Sequence, residues 1–386
     1  MDPGGPVAKR WRGGRRIEPH TFGPYLLVVP IAPLHGHEAL RGRLADAVAR
    51  GALPASVLLL GPRGIGKQQV ALWLARGLLC ERAGAAGPCG QCKACRMAAE
   101  LTHPDLHWFF PRPRLKDRDA SPDEVREDMA VAIAERLEQG GLYEAPGGDE
   151  AIFLSAVHAI VHAASLSPAM ARRKVFVIGD AERMVPQESS PEAANAFLKL
   201  LEEPLADTTI ILTSSEPGAL LPTVRSRVVF VRVAPLSDSE MQDFIADPRI
   251  ADRLNLPDGE QLAELMRMVA GAPGRLVDRE SWLSALRDAR QMVDAATSGD
   301  RGRQMRLALG AGSRGARGRF SDLLDALTQV LHERARRAVE RGDELGARGA
   351  ARAVDAVEEA KEMTLRNVSP QLLTASLLRQ IAGTAQ

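Results

Sequence analysis

Short apolar runs alternate with longer amphipathic stretches along the first 235 residues. The runs are continuous and rich in Val, Ile and Leu, which is typical of strands buried on both faces of a parallel sheet. They predict four strands, at residues 55–61, 174–180, 208–214 and 228–233. The intervening stretches predict helices at 36–50, 67–80, 122–139 and 192–203. We therefore expect an α/β domain in which helices cover both faces of a parallel sheet.

The pattern changes after Pro235, beyond which no β-rich run occurs. Apolar spacing there predicts helices at 237–246, 258–270, 274–297, 302–309, 319–341, 343–362 and 369–383. We expect four parts: a basic, poorly ordered segment at 1–33, the sheet domain at 34–235, a small helical domain at 236–297 and a helical domain at 298–386. The sequence Ser121-Pro122-Asp123-Glu124 is a capping box, which predicts a helical insertion at about 112–150.

Composition narrows the class of protein. A length of 386 residues predicts two or three domains, and 45% hydrophobic and 26% charged residues are typical of a globular chain. A net charge of +1 argues against binding polyanions by bulk charge. The apolar stretch YLLVVPIAPL, interrupted by Pro30 and Pro33, is far shorter than the roughly 20 residues of a membrane span. The basic N-terminus lacks the apolar region of a secretory signal, so we expect a cytoplasmic protein.

A degenerate phosphate loop, GPRGIGKQ, links the first strand to the next helix. Backbone N–H groups of such a loop cradle phosphate oxygens, and its lysine adds a cation. The candidate nucleotide-binding residues are Gly61, Gly64, Gly66, Lys67 and Gln68. The pattern asks for Ser or Thr where Gln68 stands, because that hydroxyl ligates Mg²⁺. A strand-to-helix turn that binds no ligand is the alternative interpretation.

The second metal ligand is also altered. A strand ending in Asp-Glu would supply the Mg²⁺ ligand and orient water, but the strand at 174–180 ends in Gly179-Asp180. Aligned by the strand, Gly179 takes the place of the metal-binding Asp, whereas a shift by one residue would let Asp180 bind the metal. Since Mg²⁺ demands near-ideal octahedral oxygen ligation, we expect the site not to hydrolyse ATP.

All four cysteines lie close together, at Cys80, Cys89, Cys92 and Cys95. Four thiolates on two short turns satisfy tetrahedral Zn²⁺ with no open position, and Gly90 allows a tight turn that directs amides at the sulfurs. Iron–sulfur ligation is the rival, but the Cys-Pro that ends the ferredoxin pattern is missing. The spacing therefore predicts a structural zinc site.

Together these motifs resemble the bacterial DNA polymerase III clamp loader, an AAA+ family. Its gamma/tau and delta-prime subunits share a zinc module directly after the phosphate-loop helix. THPDLHWF (102–109) is similar to the family's His-Pro-Asp stretch, NAFLKLLEEP (195–204) to its Leu-Glu-Glu-Pro signature, and LLPTVRSRV (220–228) to its Ser-Arg-Cys run. The resemblance spans roughly 36–280 and implies that the two helical domains are a lid and a collar.

The resemblance implies roles for further residues. Delta-prime subunits have degraded nucleotide sites yet keep the Ser-Arg pair, as this chain does. Arg227 would then be an arginine finger offered to a neighbouring motor subunit. Arg225 is the other arginine of this run, but the register of the motif favours Arg227. Thr213 matches the first sensor, and Arg275 matches a lid sensor arginine. The implied partners are gamma/tau-like motors, a delta-like subunit, the sliding clamp and primed DNA, within a DNA-directed DNA polymerase holoenzyme.

Two alternatives remain open at this point. The chain could be a gamma/tau-type motor that tolerates Gln68 and binds the metal through Asp180. It could instead be a zinc-stabilised protein outside replication that binds nucleic acid through Arg-rich helices at 301–352.

Overall fold

The computed structural model describes residues 31, 33–117, 120–143, 150–184, 191–216, 220–310, 316–364 and 368–383. The basic segment predicted at 1–33 lies, apart from Ile31 and Pro33, outside the described residues.

A parallel five-stranded sheet forms the centre of the N-terminal half, in the order β2-β3-β4-β1-β5. The strands are β1 (Ser56–Leu60), β2 (Leu106–Phe109), β3 (Lys174–Ile178), β4 (Thr208–Ser214) and β5 (Val229–Arg232). The three central strands β3, β4 and β1 are almost wholly buried, as continuous apolar runs require. The predicted α/β class is confirmed.

Seven helices of the described residues accompany the sheet: α1 (Glu38–Ala49), α2 (Lys67–Leu79), α3 (Lys93–Ala99), α4 (Pro122–Glu138), α5 (Leu154–Ser165), α6 (Pro191–Glu202) and α7 (Pro222–Arg225). The predicted capping box is present, because Ser121 and Glu124 each bond the other's backbone N–H. It fixes the start of α4, the helix of the insertion.

The prediction of four strands was wrong, since β2 makes a fifth. The strand has only four residues, Leu-His-Trp-Phe, and its histidine interrupts the apolar run, so it does not stand out as a buried strand. Tertiary contacts secure it instead. The Asp105 carboxylate accepts backbone N–H bonds from Ala169, Met170 and Ala171 at 2.6–2.8 Å, which ties the start of β2 to the segment before β3.

Helices alone follow the sheet: α8 (Asp238–Ala246), α9 (Pro248–Leu254), α10 (Gly259–Val269), α11 (Gly274–Val277), α12 (Arg279–Ser298), α13 (Arg301–Gly310), α14 (Ala316–Glu340), α15 (Glu344–Thr364) and α16 (Pro370–Gly383). The single helix predicted at 274–297 is two helices, broken at Asp278, whose backbone is not helical. None of the described helices is long and apolar enough to cross a bilayer.

The buried apolar side chains form two large clusters. One surrounds the sheet and takes in residues from Leu40 to Val233 together with Ala272, and the other runs from Leu236 to Ile381. The second cluster includes side chains on both sides of residue 297. The boundaries near 235 and 297 stay predictions, because a shared core does not by itself define a domain.

Candidate nucleotide site and cysteine cluster

The phosphate loop connects β1 to α2 and has the backbone that its glycines predict. Gly66 precedes α2 with φ 89°, a left-handed conformation that favours glycine. A Cβ on Gly61 would lie 2.3 Å from the Val233 carbonyl oxygen. The chain thus passes too close to its neighbours for any larger residue, which keeps the loop in the shape of a phosphate cradle.

Lys67 is turned onto the loop itself. Its Nζ donates hydrogen bonds to the carbonyl oxygens of Gly61 (2.9 Å) and Pro62 (2.8 Å) and to Ser215 Oγ (2.8 Å). An ammonium has three donors, so all are used within the protein. Burial lowers the Lys67 pKa, while the charges of Asp180 and Glu182 oppose that shift.

Gln68 is buried beside Asp180. Its Nε2 donates to Asp180 Oδ2 at 2.8 Å, and its Oε1 accepts from Trp108 Nε1 at 3.1 Å. Only 6% of the residue is exposed. The amide therefore joins the end of β3 to β2 with hydrogen bonds on both of its polar atoms.

The structure brings the side chain of Asp180 to residue 68. Asp180 has φ 47°, and its backbone N–H donates to Thr213 Oγ1 at 3.1 Å. Thr213 is fully buried at the end of β4. Three residues that the sequence suggested separately, Gln68, Asp180 and Thr213, thus form one connected group.

The acidic side chains of Glu182 and Glu216 near this group were not predicted. Glu182 Oε1 accepts a backbone N–H from Ser215 at 3.0 Å. Burial, followed by the charges of Asp180 and Glu216, raises the Glu182 pKa to about 7. No sequence pattern marks Glu182, because it lies in a turn after β3 and gains its surroundings only from β4 and the loop.

A cavity of about 200 Å³ lies between the phosphate loop and the helices that follow the sheet. Arg275 lines it, with its guanidinium 3.6 Å from the centre of the Trp282 ring. It donates to Val269 O at 3.2 Å and Gln329 Oε1 at 2.9 Å, and burial lowers its pKa to about 10. The backbone of Gly274 donates to Gly64 O at 2.7 Å. Arg275 thus lies beside the phosphate loop and is hydrogen-bonded to α10 and α14.

Arg227 does not line this cavity. It follows α7 and forms an ion pair with Glu202, while its NH1 donates to Thr223 O at 2.7 Å and Ser226 Oγ at 3.1 Å. Its neighbour Arg225 is more exposed. The structure therefore separates Arg227 from the chain's own phosphate loop.

The four cysteine sulfurs form a compact cluster, all within 4.8 Å of one another. Sγ–Sγ distances are 3.9 Å for Cys80–Cys92 and 4.0 Å for Cys89–Cys95. Tetrahedral ligation with Zn–S bonds near 2.3 Å requires about 3.8 Å, so the sulfurs are spaced for a metal. Backbone N–H groups of Gln91 and Cys92 lower the Cys89 pKa to about 6, which favours the thiolate, whereas burial raises the Cys80 pKa and raises that of Cys95 to about 12.

Comparison with known proteins identifies relatives of the sheet domain. Residues 36–237, just over half of the chain, match the family described as DNA polymerase III, delta subunit. The delta' subunit of DNA polymerase III from Pseudomonas aeruginosa is 35% identical over 219 residues, which cover 56% of this chain and 52% of the relative. The delta' subunit of Bacillus subtilis is 25% identical over 211 residues, or 55% and 51% of the two chains.

Similarity extends to tau subunits and to a solved structure. The DNA polymerase III tau subunit of Salmonella typhimurium is 25% identical over 344 residues, covering 84% of this chain and 44% of its own. A gamma subunit-related protein of Thermotoga maritima aligns over 89% of this chain and 99% of its own, with 17% identity and a TM-score of 0.32, which carries no argument about function. The chain spans about half the length of the curated relatives it matches.

Proposed function

This chain belongs to the DNA polymerase III delta subunit family, and we propose that it is a delta-prime-like clamp-loader subunit that does not hydrolyse ATP. One observation supports the second part most directly. The Gln68 amide, an uncharged group at one of the two positions that would ligate Mg²⁺, is hydrogen-bonded to Asp180 at the other.

In this role Arg227 would stabilise the transferred phosphate in a neighbouring motor subunit. A guanidinium offers a planar, permanently charged fork to phosphate oxygens. Its separation from the chain's own loop supports use in trans. The partners would be gamma/tau-like motors, a delta-like subunit, the sliding clamp and primed DNA, and this work would take place in the cytoplasm.

We further propose that the cysteine cluster binds one structural Zn²⁺. The donor set is four sulfurs at tetrahedral spacing, with backbone N–H groups directed at several of them. All four positions are protein ligands, which leaves no open position for catalysis.

The purified chain tests the non-motor role. We expect about one Zn²⁺ per chain by metal analysis and no ATP hydrolysis above that of a Lys67→Ala variant. Hydrolysis by the wild type that disappears in Lys67→Ala would instead establish the gamma/tau-type motor. That alternative deserves the test because the Asp180 carboxylate does reach residue 68.

The reconstituted clamp loader tests Arg227. We expect Arg227→Ala to assemble normally and to lower hydrolysis at the neighbouring site by about 10³-fold, as for other arginine fingers. The DNA-stimulated ATPase rate of the whole complex would then fall by the fraction that this neighbouring site contributes. Arg225→Ala is the matched control and should leave the rate unchanged. Equal rates for Arg227→Ala and wild-type complexes would exclude the finger role.

A further inference from the structure

The place for a divalent cation is defined by two side chains. Residue 68 and the carboxylate after β3 are the protein ligands of Mg²⁺ in phosphate-loop enzymes. Each would lie 2.0–2.1 Å from the ion. Here Gln68 Nε2 is 2.8 Å from Asp180 Oδ2 and donates an N–H to it. A hydrogen-bond donor at position 68 thus occupies one oxygen of the carboxylate that would ligate the cation.

Gly179 is fitted to this amide. A Cβ at position 179 would lie 2.4 Å from Gln68 Oε1 and 2.6 Å from Gln68 Nε2. Gly179 is not among the glycines with positive φ, so its backbone would accept another residue. The three atoms nearest to that Cβ all belong to the Gln68 side chain. The two departures from the motor pattern are therefore two halves of one packed contact.

Arg136 brings a positive charge to the same place. It lies in the last turn of α4, within the insertion, and its NH1 is 3.5 Å from Gln68 Oε1. Three aromatic rings surround its guanidinium, with centres 3.2 Å (Phe110), 3.8 Å (Tyr143) and 4.9 Å (Trp108) from Cζ.

No ion pair of Arg136 occurs among the residues that the structure describes. Burial lowers its pKa, while the charges of Tyr143 and Asp180 oppose that shift. A guanidinium nevertheless keeps its proton in proteins, and aromatic faces stabilise it. Arg136 is therefore a buried cation that contacts the amide bonded to Asp180.

We propose that the inserted helix α4 supplies the cation of this site from within the chain: Arg136, acting through Gln68 against Asp180, takes the place of the divalent metal, and Gly179 makes room for the arrangement. This inference rests on the proposed non-hydrolysing function and adds a role for the insertion. The loss of metal binding then depends on Gln68, Gly179 and Arg136 together, so that replacing Gln68 alone by Ser does not restore it.

A double-mutant cycle tests the packed contact between Gln68 and Gly179. In the full chain, Gly179→Ala displaces the amide from its hydrogen bonds, whereas in a Gln68→Ser background the added Cβ has room. We expect the unfolding equilibrium constant to rise about tenfold more with Gln68 present than with Ser at that position. Gly42→Ala, where nothing lies within 4 Å of the added Cβ, is the control and should show no such difference. Additive effects of the two substitutions would overturn the contact.

The effect of Mg²⁺ on the affinity for nucleotide tests whether the charge of Arg136 takes the place of the metal. A fluorescent ATP analogue is titrated with and without Mg²⁺ into Gln68→Ser, Gln68→Ser/Arg136→Gln and Gln68→Ser/Arg126→Gln. Arg126 is the control because it lies on α4 but is exposed. We expect Mg²⁺ to tighten binding about tenfold only when Arg136 is neutralised. Equal tightening in all three variants, or in none, would overturn the inference. Mg²⁺-dependent hydrolysis by the wild type would instead overturn the proposed function, so the two failures are distinguishable.

Discussion

Several polar residues at the starts of β2 and β3 hold the sheet together. Asp105, in the His-Pro-Asp stretch, accepts three backbone N–H bonds, and His103 Nδ1 accepts the N–H of Asp105 at 3.1 Å. Lys174 at the start of β3 donates to the carbonyl oxygens of Ala163, Ala164 and Leu166 at the end of α5. The His-Pro-Asp stretch, one of the motifs by which the sequence resembles the family, thus has a structural role in this chain.

Asp105→Asn should destabilise the fold. Burial would raise the Asp105 pKa, but the backbone bonds from Ala171, Ala169 and Met170 outweigh it, so the pKa is lowered. An amide has one acceptor oxygen for three donors. We expect the free energy of unfolding to fall by about 2 kcal/mol at pH 7.

The pH dependence has a definite sign. Because the folded pKa is lowered, the stabilisation is fully present above the unfolded pKa and is lost as pH falls through the folded value. The difference between wild type and Asp105→Asn in urea unfolding should therefore shrink below about pH 4. Asp46→Asn, in an exposed pair with Arg50, is the control and should change stability by less than about 0.5 kcal/mol. A difference that is constant with pH would contradict the role of the carboxylate.

At the scale of elements, the cysteine cluster stabilises α3, a helix that is too short to be stable by itself. The seven residues of α3 are far below the roughly 12 that an isolated helix needs. Cys92 Sγ caps the helix by accepting the Cys95 N–H at 3.3 Å. The small core there consists of the cysteines and Ala94. The local structure therefore depends on what holds the four sulfurs together.

Removal of metal should unfold this element selectively. With a zinc chelator we expect hydrogen exchange at residues 80–99 to accelerate while the strands of the sheet stay protected, because metal binding and local folding are coupled. Reducing agent without chelator is the control, since no disulfide joins these cysteines. Unchanged protection of 80–99 after the metal is lost would show that packing suffices.

The Arg-rich helices α14 and α15 carry their own counter-charges. Arg336 pairs with Glu340 at 3.7 Å, Arg348 pairs with Glu344 at 3.4 Å, and Arg337 pairs with Glu333, each one helical turn away. These are exposed pairs of the kind that solvated helix faces contain. Such pairing gives no support to nucleic-acid binding by these two helices.

At the scale of the whole molecule, the phosphate loop joins the two hydrophobic clusters. Arg63 of the loop pairs with Asp322 of α14 at 3.1 Å and with Glu216 at 3.6 Å. Burial disfavours the charge of Arg63, but Glu216, Asp322 and Asp325 outweigh that effect and raise its pKa. The loop therefore links the sheet to the C-terminal helices, a structural reason for keeping it where hydrolysis is not expected.

Asp322→Asn should weaken this joint. Both side chains of the pair are less than a third exposed, so screening by water is limited. Burial raises the Asp322 pKa despite the charge of Arg63, so desolvation of the carboxylate offsets part of the ion pair, and we expect a loss of about 1 kcal/mol in the free energy of unfolding. Glu340→Gln removes an exposed carboxylate from the same helix and should cost less than about 0.5 kcal/mol. Equal stability of the two variants in urea unfolding would mean that the joint contributes little.

The sequence by itself determined most of the helices and strands, and it identified the groups of functional residues that lie close together in the chain. Continuous apolar runs set the parallel sheet, Gly-rich spacing set the loop, and four clustered cysteines set the sulfur cluster, because each depends on residues close together in the chain. Only the tertiary structure decided what surrounds Gln68. Arg136, Trp108 and Asp180 come from different elements, and their meeting depends on packing across β2, β3 and α4, which no local pattern encodes.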